Sequence, residues 1–188
     1  MTAIDPAPVT RRPRVATAWL GGCSGCHMSF LDMDERLIEL AGKIDLVYSP
    51  IADVKVFPAD VDVTLVEGAV TNDENEHAAR TIRRNSRFVV SFGDCATAGN
   101  VTAMRNRFTR EELLQRAYVD LARGEIPTIP NDTTLAKLLV RARPLHEFVP
   151  VDAFLHGCPP SADEIWLAVS ALVEGRKLEL PAAYQRYG

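Results

Sequence analysis

The chain has 188 residues, a net charge of −4, 47 % apolar and 24 % charged residues, and four cysteines. Such a composition suits one globular domain with a real core and excludes a disordered chain. The acidic balance argues against a nucleic-acid binder, and no apolar run approaches the ~20 residues of a membrane span.

The N-terminal stretch MTAIDPAPVTRRP is rich in proline. It reads as a flexible tail over 1–13, followed by a single domain over 14–188. Arg11 and Arg12 could begin a twin-arginine export signal, but the next hydrophobic segment runs straight into Cys23. The expectation is therefore a cytoplasmic protein, and in that compartment cysteines serve metal or redox chemistry more often than disulfides.

Five short apolar runs, rich in β-branched or aromatic residues, predict strands: 15–20 (VATAWL), 44–48 (IDLVY), 61–66 (VDVTLV), 88–92 (FVVSF) and 151–155 (VDAFL). Most are apolar throughout, as parallel strands covered on both faces are. Helical patterns separate them. Over 27–41 the residues Met28, Leu31, Leu37, Ile38 and Ala41 recur at helical spacing, with Gly42 as the stop. Residues 72–85 open with acids and close with arginines, matching the helix dipole. Arg80, Arg83, Arg84 and Arg87 cluster there and read as a solvated face rather than a docking patch. Ser161 and Glu164 form a capping box ahead of a helix over 161–174.

Residues 105–147 interrupt this rhythm. Thr109 and Glu112 make another capping box before a helix ended by Gly124, a loop follows, and 133–142 is predicted to be a second helix stopped by Pro144. The pattern as a whole predicts an α/β fold. It is a flavodoxin-like, doubly wound, mostly parallel sheet with a helical insertion between the fourth and fifth strands.

Cys23 and Cys26 follow the first predicted strand, Cys95 the fourth and Cys158 the fifth. In an open parallel sheet those strand ends share one edge, where ligands bind, so cysteines far apart in sequence can meet. Glycines crowd all four: Gly21, Gly22, Gly25, Gly93 and Gly157. Four thiolates suit tetrahedral zinc or an iron–sulfur cluster. One close pair plus two singles from distant loops spreads the ligands around a larger object, which favours a cluster. A zinc-stapled binding module remains open. A thioredoxin-like reading of CSGC leaves Cys95 and Cys158 without a task. Four small buried hydrophobes are the bland alternative.

The motifs CSGCHMSF (23–30), VEG (66–68), GDCAT (93–97) and FVPVDAFLHGCPP (148–160) together resemble the small subunit of nickel–iron hydrogenases. The short length resembles the cytoplasmic, NAD-reducing branch. The last motif also resembles the 20 kDa-type cluster subunit of NADH–quinone oxidoreductase, but that family uses two adjacent cysteines, whereas Cys23 and Cys26 are separated by Ser24 and Gly25. The resemblance implies that Cys23, Cys26, Cys95 and Cys158 hold one proximal 4Fe-4S cluster. It implies a large subunit carrying the nickel–iron centre, and diaphorase subunits with iron–sulfur clusters, FMN and an NAD site. Residues 19–30, 67–72, 95–104 and 156–162 would line the contact with the large subunit, and 105–147 could serve a second partner.

Glu67 is a candidate proton relay, a residue orienting the cluster loop, or an iron ligand in some redox state, with an exposed strand-end acid as the plain alternative. His27 could donate to a cluster sulfur or simply begin a helix. Trp19 is expected in the core or, alternatively, lining the cluster or the subunit interface, and Met28 and Met33 are expected to pack rather than ligate. His77, His146 and His156 read as ordinary histidines. No dinucleotide fingerprint or Walker sequence occurs. FMN binding to this chain is possible by resemblance but has no residue-level support, because the loop that would cradle its phosphate holds Cys23 and Cys26.

Overall fold

The structure, a computed structural model, describes residues 11–123 and 127–179. Its elements in chain order are β1 (Arg14–Trp19), α1 (Gly25–Leu31), α2 (Arg36–Lys43), β2 (Asp45–Tyr48), β3 (Val61–Glu67), β4 (Val70–Asn72), α3 (Asp73–Asn85) and β5 (Ser86–Phe92). Then come α4 (Asp94–Ala98), α5 (Asn100–Ala103), α6 (Arg110–Gln115), β6 (Leu138–Arg143), β7 (Ala153–Leu155) and α7 (Ala162–Val173).

The five predicted apolar runs form one parallel sheet in the order β2-β1-β3-β5-β7. This is a doubly wound sheet whose order reverses beside β1, as expected. Every residue of β3 is buried, and alternate residues serve opposite faces because side chains alternate along a strand. Val63, Leu65, Val90 and Phe92 face α2 and α7 through Leu40, Ile165, Ala168 and Val169. Val66 and Val89 face the α3 side through Ala79 and Ile82, with Leu145 and Val149.

Two expected helices differ. The single helix over 27–41 is broken into α1 and α2 by a turn containing Asp34 at φ 51°. The break re-aims the second half, so that Met33 enters the core at 3 % exposure together with Leu40, while Met28 stays 59 % exposed. Gly42 does not stop α2, which runs on to Lys43.

The second helix of the insertion, over 133–142, is not formed. Leu138–Arg143 is the strand β6, antiparallel to the three-residue β4. Tertiary pairing overrides the local pattern here. Arg105 Nη2 reaches the carbonyls of Thr71 in β4 (2.9 Å) and Leu139 in β6 (3.1 Å). Asn106 bonds both the N–H and the C=O of Ala142, at 2.8 Å each. The Thr109–Glu112 and Ser161–Glu164 capping boxes both form. The predicted stop at Gly124 lies outside the described residues. Arg11 and Arg12 are not free: Arg11 pairs with Asp62 at 2.8 Å and Arg12 with Asp45 at 3.3 Å.

Candidate functional site

At the C-terminal edge of the sheet, the loops after β1 and β3 are zipped together. Leu20 N–H donates to the Glu67 carbonyl, and Gly21 and Ala69 exchange two further bonds, all at 2.8 Å. The approach is close: a Cβ on Gly68, which sits at φ +89°, would lie 2.9 Å from the Gly21 carbonyl carbon. Only glycine fits there. This seam lies where the strand order reverses, the usual crevice of open α/β sheets.

Cys23 lies in the loop after β1, and Cys26 lies in the first turn of α1. Cys26 is buried, whereas Cys23 and Cys158 are exposed and Cys95 is intermediate. Gly93, at φ +79°, leaves room for the Cys26 sulfur, since a Cβ there would overlap Sγ. Cys95 follows in α4. Cys158 follows Gly157 in the loop after β7, where the Cys158–Pro159 peptide is cis. Ser29 Oγ donates to the Pro160 carbonyl at 2.5 Å, tying α1 to that loop.

The sulfurs are electrostatically coupled. Burial pushes the Cys26 thiol strongly upward, and Glu67, Cys95, Cys23 and Cys158 each add to the rise. Burial also raises Cys95, against a lowering hydrogen bond from the Thr102 backbone, with Cys158 and Cys23 adding smaller increments. Thiols so placed keep their protons unless cationic charge lies among them, which is what a metal group supplies. Among the described residues, no three His, Cys, Asp or Glu side chains are close enough together to clasp one metal ion. The donor set is four sulfurs drawn from three separate loops, which fits an iron–sulfur group.

Glu67 is the last residue of β3 and is buried at 2 % exposure. His27 is buried too, against the edge of Trp19 (centroids 5.1 Å) and beside Phe92 (6.1 Å). Its backbone N–H and ring Nδ1 both meet Glu67 Oε2, so the histidine, in the first turn of α1, holds the carboxylate. Trp19 is not in the core as expected. It is 40 % exposed at the strand end, because the edge leaves one side of its ring uncovered. His77 borders an open hollow with Asp73 and Glu74. His146 and His156 flank Phe154. Two residues were missed by sequence reasoning, Ser29 and Asp94. Both hold neighbouring loops by side-chain bonds to backbone, a contact without periodicity; the signal was their place inside the CSGCHMSF and GDCAT motifs.

Residues 23–172 match the family model described as "NADH ubiquinone oxidoreductase, 20 Kd subunit". The chain belongs to that family. Within it, near-full-length similarity is to hydrogenase subunits. The chain is 39 % identical to the NAD-reducing hydrogenase HoxS subunit delta of Cupriavidus necator, over 99 % of this chain and 92 % of that protein. It is 37 % identical to a subunit of the F420-non-reducing hydrogenase of Methanothermobacter thermautotrophicus, over 89 % of this chain but only 56 % of that longer protein. A solved structure of an NAD+-reducing NiFe hydrogenase in the H2-reduced state superposes with a TM-score of 0.90. It shares 42 % identity over 95 % of this chain and all of that one. The reduced, active Ni-Fe-Se hydrogenase from Desulfomicrobium baculatum shares the fold, at a TM-score of 0.53 and 17 % identity, over 93 % of this chain and 69 % of that one. The family and fold expectations from the motifs are thus met: the chain is a member of the hydrogenase small-subunit group.

Proposed function

We propose that this chain is the electron-transfer subunit of a cytoplasmic NAD-reducing nickel–iron hydrogenase. On this reading Cys23, Cys26, Cys95 and Cys158 hold one proximal 4Fe-4S cluster. The observation that carries it is the convergence of four cysteines, from the loops after β1, β5 and β7, on one sheet edge, where the Cys26 thiol feels the other three. When bound, a cluster of this class relays electrons one at a time, at a potential set by its surroundings.

The chain's own residues would do the rest. The four thiolates bind iron, and the close packing around Cys26 excludes water. Glu67 either relays protons or shapes the cluster loop through His27. A large subunit with a nickel–iron centre would convert hydrogen to two protons and two electrons. Diaphorase subunits, with their own iron–sulfur clusters, FMN and NAD site, would use those electrons and one proton to reduce NAD+. The proposed large-subunit contact, 19–30, 67–72, 95–104 and 156–162, carries exposed apolar residues suited to burial: Trp19, Met28, Val101 and Met104. Among the described residues no helix is long and apolar enough to cross a membrane. The family match favours a second reading, the cluster subunit of an NADH–quinone oxidoreductase, against which stands the separated Cys23–Cys26 pair.

Anaerobic copurification tests the proposal. The complex should contain about four irons and four sulfides for each copy of this chain. It should reduce NAD with hydrogen, while the isolated chain does neither half-reaction. Stoichiometric zinc without iron overturns the cluster, and NADH-dependent quinone reduction without hydrogen uptake favours the second reading.

A further inference from the structure

Asp94 stands between Gly93 and Cys95 and bonds the neighbouring loop in both directions. Its backbone N–H donates to the Gly157 carbonyl at 2.9 Å, and its Oδ1 accepts the Gly157 N–H at 2.8 Å. One step earlier, Gly93 N–H donates to the Leu155 carbonyl at 2.8 Å. These bonds continue the β5–β7 ladder, whose last registered pair is Phe92 with Leu155. Beyond that pair the chain turns into α4 on one side and into the HGCPP loop on the other. Regular strand pairing ends there, and a side-chain carboxylate supplies the next acceptor.

Gly157 immediately precedes Cys158, as Asp94 immediately precedes Cys95. The Asp94 carboxylate therefore joins the backbones that carry two of the four cysteines. It borders an open hollow lined by Thr97, Asn100 and His156. On that outer side these hydrogen bonds join the two loops directly. His156 Nδ1 lies 3.9 Å from the same Oδ1.

We propose that Asp94 is a positioning residue that sets the spacing of Cys95 and Cys158, and through it the geometry of the four-thiolate set. The inference rests on the cluster reading above. Residues that orient ligands without touching the metal commonly change its retention on mutation. Asp94→Ala removes the acceptor and leaves the Gly157 N–H unpaired, whereas Asp94→Asn keeps an oxygen in the same place.

The test uses the copurified complex of each variant. Asp94→Ala should release iron to a chelator about tenfold faster than wild type, with a changed line shape in the electron paramagnetic resonance spectrum of the reduced cluster. Asp94→Asn should restore both. Hydrogen exchange at the Gly157 amide gives a measurement that does not depend on the alanine variant accumulating. That amide should be protected in wild type and in Asp94→Asn. Asp94→Ala behaving as wild type, Asp94→Asn as impaired as Asp94→Ala, or a fast-exchanging Gly157 amide in wild type each overturns the role of Asp94 while leaving the cluster in place. A wild-type complex without iron overturns the cluster reading and this role together.

Discussion

Glu67 Oε2 lies 3.0 Å from the backbone nitrogen of His27 and 2.5 Å from its ring Nδ1, so one residue closes two donors on one carboxylate oxygen. The pair couples the end of β3 to the start of the helix that carries Cys26. His27 Nε2, on the other side of the ring, is buried and has no hydrogen-bond partner among the described residues.

Glu67→Gln preserves size but replaces one carboxyl oxygen by an amide nitrogen, so it changes the pairing with His27 without emptying the site. The expected outcome is an assembled complex with its cluster present and a hydrogen-dependent rate reduced several-fold, with an altered pH profile. His27→Ala instead removes the ring and leaves the buried carboxylate only the backbone N–H of residue 27, which costs roughly 1–3 kcal/mol and should show as a lower unfolding midpoint with loss of iron. Wild-type rates at every pH in Glu67→Gln would leave Glu67 as a structural anchor for His27 alone.

Gly93 offers a way to disturb the proposed cluster site without replacing any of its cysteines. A Cβ there overlaps the Cys26 sulfur, on a backbone at φ +79°. Gly93→Ala should lose iron as severely as Cys26→Ser, and the strained backbone adds roughly 1–3 kcal/mol of destabilisation. Iron and sulfide analysis beside calorimetry checks this, and full iron content in Gly93→Ala would sink it.

The central parallel strands were legible because they are covered on both faces and read as mostly apolar runs, as the wholly buried β3 shows; the partly exposed edge strands β2 and β7 were legible from their β-branched and aromatic residues. The cysteine loops were legible for the same reason, since strand ends of a parallel sheet share an edge. The break between α1 and α2 was not. It is decided by which methionine the core accepts, Met33 over Met28, and both fit one helical pattern. The pairing of Glu67 with His27 depends on β1 and β3 being neighbours, which spacing alone does not reveal. β4 is three residues long and carries no periodicity, so nothing in the sequence pointed to a partner for β6.

The α6 cap gives a pH prediction. The Thr109 backbone N–H and then its hydroxyl bond the Glu112 carboxylate, at 2.7 and 2.9 Å, and hold it below the usual glutamate range. A carboxyl lowered on folding stabilises above its unfolded value, and the contribution is lost as pH falls through the lowered one. The protection of α6 amides, relative to their intrinsic exchange rates, should therefore fall as pH drops below about 4. Glu112→Gln should flatten that dependence, and an unchanged acid response in Glu112→Gln would place its origin elsewhere.

The β4–β6 ribbon rests on polar side chains rather than on a long ladder. Asn106 bonds both backbone groups of Ala142, so it acts as a surrogate strand residue beside a buried alanine. Asn106→Ala removes both bonds and leaves two partly buried backbone groups to find water. Each such hydrogen bond contributes about 1 kcal/mol, so the variant should lose roughly 1–2 kcal/mol. Asn106→Asp keeps the acceptor for the Ala142 N–H and gives up the donor to its carbonyl, so it should lose about half as much and keep the Ala142 amide protected. If Leu138–Arg143 were helical, neither change would affect exchange at Ala142 selectively. Residue-resolved hydrogen exchange of the two variants therefore tests the strand and its side-chain clasp in one measurement.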